Sequence, residues 1–80
     1  MNPKVQHVEA TDGYQLVVTF DNGERKKVDI TTYLDKGVFQ ELREINYFKR
    51  VSVSFGSVIW PHEQDLSHDT LYLTGKNLNS

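Results

Sequence analysis

The stretch Tyr14-Gln15-Leu16-Val17-Val18-Thr19-Phe20-Asp21-Asn22-Gly23-Glu24-Arg25-Lys26-Lys27-Val28-Asp29-Ile30 decides the fold, because two strand-like runs flank a turn that ends in glycine. Were Asn22-Gly23 a two-residue loop, Leu16, Val18 and Phe20 would share a face with Asp29, Lys27 and Arg25, wasting the apolar face. A three-residue loop, Asp21-Asn22-Gly23, sets Leu16 opposite Val28 and Tyr14 opposite Ile30 instead, provided Gly23 takes the left-handed conformation that a residue without Cβ adopts freely. The same device at Thr11-Asp12-Gly13 sets Val8 opposite Leu16 and Ala10 opposite Tyr14. Three strands then share one buried face, and alternation aims Val5, His7, Val17, Arg25 and Lys27 at the other.

Beyond Ile30 the period changes. Thr32 with Asp35 reads as a capping box, and Gly37 can close that turn as a left-handed cap. Val38, Phe39, Leu42 and Ile45 recur at helical spacing, which predicts a two-turn amphipathic helix. Val51, Val53 and Phe55 alternate with Ser52 and Ser54, and a two-residue turn at Gly56-Ser57 would set Phe55 against Val58 and Val53 against Trp60, in the core. Pro61, lacking a ladder donor, ends that strand, and Ser67 is the expected N-cap of a short helix with Asp69 in its first turn and Leu71, Tyr72 or Leu73 over the sheet. Residues 75–80 read as a frayed tail. The expectation is one α+β domain over residues 1–80: a three-stranded antiparallel meander, a short amphipathic helix, a β-hairpin and a short C-terminal helix, in the order β-β-β-α-β-β-α.

Composition narrows the function classes. The 80 residues are 38% hydrophobic and 25% charged, the balance of a folded globular domain rather than a disordered one. A net charge of -2 provides no global pull toward nucleic acid or acidic membrane, which leaves Arg25-Lys26-Lys27 and Lys49-Arg50 as the local basic candidates. With no cysteine there is no disulfide, thiolate metal site or cysteine nucleophile, and the opening Met1-Asn2-Pro3-Lys4 has no signal-like apolar run, so cytoplasm is the expected compartment and no membrane is expected.

His62, Asp65, His68 and Asp69 crowd one segment in which imidazole and carboxylate are available to a divalent ion. His62-Glu63-Gln64-Asp65 is not the two-histidine helical motif of zinc proteases, and loop and capping hydrogen bonds account for these residues, so no metal and no cofactor are expected. Asp65 and Asp69 lack a pocket to serve as an acid-base pair, no serine sits in a nucleophile elbow, and Gly75-Lys76 lacks the glycine loop of a phosphate site. No catalytic residue is assigned, and an enzyme is not expected. The Arg25 and Lys27 face keeps nucleic-acid binding open as the alternative, weakened because the aromatics belong to the inferred core. An interaction module is what remains, with Val5, His7, Val17, Arg25 and Lys27 as its candidate partner face, or the free edge of the three strands as the contact, and a protein partner or a second copy as its ligand.

Taken together, Tyr14-x-Leu16-x-Val18-x-Phe20-x-x-Gly23-Glu24, Asp29-Ile30, Gly37-Val38-Phe39-x-x-Leu42, Phe48, Val51-x-Val53, Gly56, Val58-x-Trp60-Pro61, Asp65-Leu66 and Asp69-x-Leu71-Tyr72 resemble the small bacterial family called domain of unknown function 2442. The order and spacing of these residues over nearly the whole chain carry the resemblance. It implies the same meander, helix, hairpin and helix, with structural roles for Gly23, Trp60, Pro61, Asp65, Asp69 and Tyr72. Glu63 stands where the family often has Gly and His68 where it often has Pro, so the loop here is expected to depart from the family's conformation. The resemblance implies no activity. It does imply a gene often placed beside that of another small protein in a toxin-antitoxin-like arrangement, and sometimes an attached helix-turn-helix domain, for which the residues after Trp60 leave too little chain. The expected function is therefore the antitoxin-like member of a two-component pair.

Overall fold

The computed structural model describes residues 2–78. Seven strands and two α-helices appear among them: β1 (Val5–Ala10), β2 (Gln15–Phe20), β3 (Arg25–Asp29), α1 (Ile45–Phe48), β4 (Ser52–Ser54), β5 (Ser57–Ile59), β6 (Asp65–Leu66), α2 (His68–Thr74) and β7 (Lys76–Asn77). Two 3-10 segments, Thr31–Tyr33 and Gly37–Arg43, lie between β3 and α1. The fold is α+β, with one antiparallel sheet in the order β1-β2-β3-β7 and a second in the order β4-β5-β6. Leu16, Val18, Phe20, Val28, Ile30, Leu42, Phe48, Val58, Trp60 and Leu71 are fully buried in one cluster that joins the two sheets and the helices. Burying a side chain of this size stabilises by about 1.5–3 kcal/mol, which is how such short elements persist.

Turn chemistry sets every register. Phe20 and Glu24 close the β2–β3 turn, the Phe20 amide donating to Glu24 O at 2.8 Å, and Gly23 has φ 89°. Leu16 consequently faces Val28, as the alternation predicts. The β1–β2 turn uses the same three-residue loop one position later than expected: Thr11 N donates to Gln15 O at 2.9 Å, and Tyr14, not Gly13, takes the left-handed place at φ 60°. Ala10 therefore faces Leu16 and Val8 faces Val18, a shift of two that leaves the side chains from His7 to Ala10 on their expected faces. Tyr14 bears the strain because its ring packs on Phe48 at 5.3 Å and its hydroxyl donates to Arg43 O.

A bulge corrects the reading of Val5. The register slips between Val5 and His7, so Val5 turns to the core side opposite Phe20 and is buried, while His7 and Glu9 stay outside. Val5 is thus removed from the candidate partner face.

The β4–β5 hairpin turns one residue earlier than expected. Phe55 and Gly56, at φ 49° and 78°, form the two-residue turn, so Val53 faces Val58 and Ser54 faces Ser57. Phe55 is fully exposed at the tip rather than packed against Val58, and Val53 is 37% exposed rather than set against Trp60. The expected two-turn helix is broken in two. Gly37–Arg43 winds as a 3-10 segment, then Glu44 leaves helical geometry and caps α1, its carboxylate accepting from Tyr47 N at 2.9 Å. Leu42 is buried and Phe39 and Ile45 half-buried, but Val38 is exposed, as a tighter helix rotates it off the core face. The Thr32–Asp35 capping box is absent, and Asp29 instead accepts from Thr31 N and Oγ1 at 3.0 and 2.7 Å. Ser67 caps α2 as expected, accepting from Thr70 N at 3.2 Å.

The tail is ordered where fraying was expected. Gly75 lets the chain turn close beneath α2, since a Cβ there would lie 2.8 Å from Leu71 O and 2.9 Å from Lys26 Cβ. Lys76 and Asn77 then pair with Lys27 and Lys26, and Leu78 N donates to Arg25 O at 2.8 Å. Positions 79 and 80 lie outside the described residues.

Candidate functional site

The side of the first sheet turned away from the core carries Gln15, Val17 and Thr19 from β2 and Arg25, Lys27 and Asp29 from β3. His7 and Glu9 flank them from β1, and Lys76 adds to them from β7. None of these residues is buried. The structure thus brings His7, Val17, Arg25 and Lys27 together on one face, with Val17 at its middle between Glu9 and Lys27. Lys76 escapes a sequence reading because the tail shows no strand pattern. It sits directly opposite Lys27, and beside the pair lies a cleft of about 140 Å³ lined by Gln15, Lys27, Asp29, Thr74 and Lys76. The Thr31 hydroxyl, and after it the Thr31 amide, hold the Asp29 carboxyl below its ordinary value, with Lys76 adding to this.

Trp60 is 1% exposed, donates from Nε1 to Phe48 O at 2.8 Å and stacks on the Phe48 ring at 6.1 Å. Tyr72 packs edge-on against Phe20, lies under Lys26 Nζ at 3.8 Å and donates its hydroxyl to Glu24 at 2.7 Å. That bond, then the Asn22 amide, lowers the Glu24 carboxyl, and the same carboxylate raises the Tyr72 phenol. Asp69 accepts from Asn2 at 3.0 Å in the first turn of α2, and Asp65 is exposed opposite Ile59.

Pro61-His62-Glu63 is a third three-residue loop, closed by Trp60 N on Gln64 O at 2.9 Å, with Glu63 left-handed at φ 71°. Glu63 therefore adopts the left-handed conformation that a glycine favours.

What holds the loop is a closed polar ring invisible in the sequence. Gln64, 4% exposed, donates from Nε2 to Val38 O at 3.1 Å and Glu41 Oε1 at 2.8 Å. Its Oε1 accepts from the Tyr47 hydroxyl at 2.6 Å, which itself accepts from His62 N at 2.8 Å, and His62 Nδ1 meets Glu41 Oε2 at 2.5 Å. The Gln64 amide foremost, and His62 less, holds the Glu41 carboxyl below its ordinary value. Every buried side-chain polar atom among the described residues is satisfied, so the ring serves packing rather than presenting an unpaired group to a ligand. His62, Asp65, His68 and Asp69 do not converge: His62 pairs with Glu41 and His68 with Asp69, and among the described residues no three His, Asp or Glu side chains gather closely enough to hold a metal ion. No helix among them is long and apolar enough to cross a membrane.

A family model described as Protein of unknown function (DUF2442) matches residues 5–77. No curated protein and no solved structure matches the chain.

Proposed function

The chain belongs to the DUF2442 family, and on that premise we propose that it is a non-enzymatic protein-interaction module, the antitoxin-like member of a two-component pair, which docks its partner on the open face of the β1-β2-β3-β7 sheet. The observation that carries this reading is Val17, an apolar residue at the centre of an open sheet face and ringed by His7, Glu9, Thr19 and Lys27. An apolar centre with a polar and charged rim is the anatomy of a contact surface. Strand addition beside β3 is disfavoured by the same geometry, because β7 occupies that edge. The face has no Trp, Tyr or Phe on which bases would stack, which supports a protein ligand over a nucleic acid.

Co-expression with the product of the adjacent gene tests the reading. The expected result is a complex that survives gel filtration, weakened by Val17→Glu while the melting temperature holds, whereas Leu16→Glu on the buried side unfolds the chain. No complex, together with retardation of short DNA that falls steeply with salt and disappears in Arg25 and Lys27 variants, would replace it with nucleic-acid binding.

A further inference from the structure

Lys27 and Lys76 stand directly opposite each other across the β3–β7 ladder, and like charges at opposed positions destabilise a sheet. Neither forms an ion pair among the described residues. The one carboxylate beside them, Asp29, spends Oδ1 on the Thr31 amide and hydroxyl, and Thr74 donates its hydroxyl hydrogen to Thr70 O at 2.7 Å. The side-chain amide of Gln15 has no partner among the described residues. Two ammonium groups and an amide therefore line a cleft of about 140 Å³ with their donors unused. That volume is roughly the liquid-volume share of four or five waters, enough for a carboxylate and its methylene stem.

We propose that this cleft is a carboxylate subsite that receives a Glu or Asp side chain of the protein partner, while Val17, cross-strand neighbour of Lys27, takes an apolar residue next to it. The proposal rests on the docking face argued above and names the chemistry of its occupant. Asp29 offsets one of the two ammonium charges, and a partner carboxylate between Lys27 and Lys76 would offset the other. Glu9 and Asp29 on the same face disfavour a polyanion with regularly spaced phosphates more than a single acidic side chain.

The probe is the tripeptide N-acetyl-Val-Glu-Val-amide, titrated into the intact chain and followed by amide resonances, with its Val-Gln-Val analogue, inorganic phosphate and a thymidine hexanucleotide as parallel arms. The acidic tripeptide is expected to give saturable shifts at Gln15, Val17, Lys27 and Lys76 that weaken with salt. The glutamine analogue should bind about two- to fivefold more weakly, as should the Lys27→Gln and Lys76→Gln variants singly, with a loss of about tenfold in the double variant. Because the double variant loses a repulsive pair, it should melt at or above the parent temperature; a lower melting temperature would make the lysines structural and overturn the assignment. Equal shifts from the two peptides, no shifts at all, or tighter binding of phosphate or the oligonucleotide would overturn it too. Failure of the cleft is distinguishable from failure of the face: a co-expressed partner that still binds the double variant, but not Val17→Glu, removes the carboxylate subsite and leaves the docking surface standing.

Discussion

The turns at Asp21-Asn22-Gly23 and Pro61-His62-Glu63 have the same backbone shape and opposite means of support. Each closes a hairpin with three residues and puts the third in the left-handed region, Gly23 at φ 89° and Glu63 at 71°. The first takes its left-handed position from its own glycine, with Asp21 N also donating to Lys4 O at 2.8 Å. Asn22 Oδ1 accepts from Glu24 N at 3.0 Å, and nothing lies within 4 Å of where a Gly23 Cβ would sit. The second is held from outside: Gln64, Tyr47, Glu41 and the carbonyl of Val38 clasp the loop, which allows a residue with a Cβ to stay in a conformation costing about 1–2 kcal/mol. One turn shape can thus be encoded by a single residue or by a network drawn from three segments.

The largest expected effect breaks the second turn's support. Gln64→Ala removes a buried amide and strands the Tyr47 hydroxyl and Glu41, so unfolding free energy should fall by about 2–3 kcal/mol. Asn22→Ala removes exposed hydrogen bonds from the first turn and should cost about 0.5–1 kcal/mol. Urea denaturation measures both, and equal losses would end the distinction between local and tertiary support.

Substitutions at the left-handed position sharpen it, with opposite signs. Gly23→Ala introduces a Cβ at positive φ and should cost about 1 kcal/mol or more, although the space around it is open. Glu63→Gly relieves the strain but frees the unfolded chain, so a smaller gain of about 0.5 kcal/mol is expected. A loss on Glu63→Gly would show that the Glu63 side chain itself stabilises the loop.

The same contrast explains what was legible in the sequence. The β2–β3 register follows from residues next to the turn, because Gly23 supplies the left-handed position and any odd slip would bring Arg25, Lys27 and Asp29 to the core. The β1–β2 and β4–β5 turns fall one residue away from where their glycines point, for one reason: Tyr14 fills the left-handed place that Gly13 suggests, and Phe55 shares it with Gly56. Packing decided the first, since Tyr14 gains the Phe48 ring. Errors of one loop residue move a register by two, which is why the inner and outer faces survived in the meander. A bulge does not conserve parity, and so Val5 changed sides. On the candidate face, His7, Val17, Arg25 and Lys27 are readable from alternation, whereas Lys76 depends on a two-residue strand and the Gln64 ring on contacts between positions 15 to 26 apart. No local pattern encodes either.

The smallest effect distinguishes the two turns by pH. Glu24, beside the first, and Glu41, beside the second, both ionise below the ordinary carboxylate value, the one through Tyr72 and Asn22 and the other through Gln64 and His62. A carboxyl depressed on folding lends stability above its unfolded value, about 4.3 for Glu, and loses it as pH falls through the folded one. Glu24→Gln and Glu41→Gln should therefore each flatten the acid limb of a plot of urea midpoint against pH. Tyr72 is raised by Glu24, so its contribution is complete below the unfolded phenol value of about 10 and disappears as pH climbs through the folded one. The two variants must then part at high pH: Glu24→Gln should also flatten the alkaline limb, and Glu41→Gln should leave it unchanged. An alkaline limb that is identical in both would mean that Tyr72 and Glu24 are uncoupled, and that the first turn is not tied to α2 through this hydrogen bond.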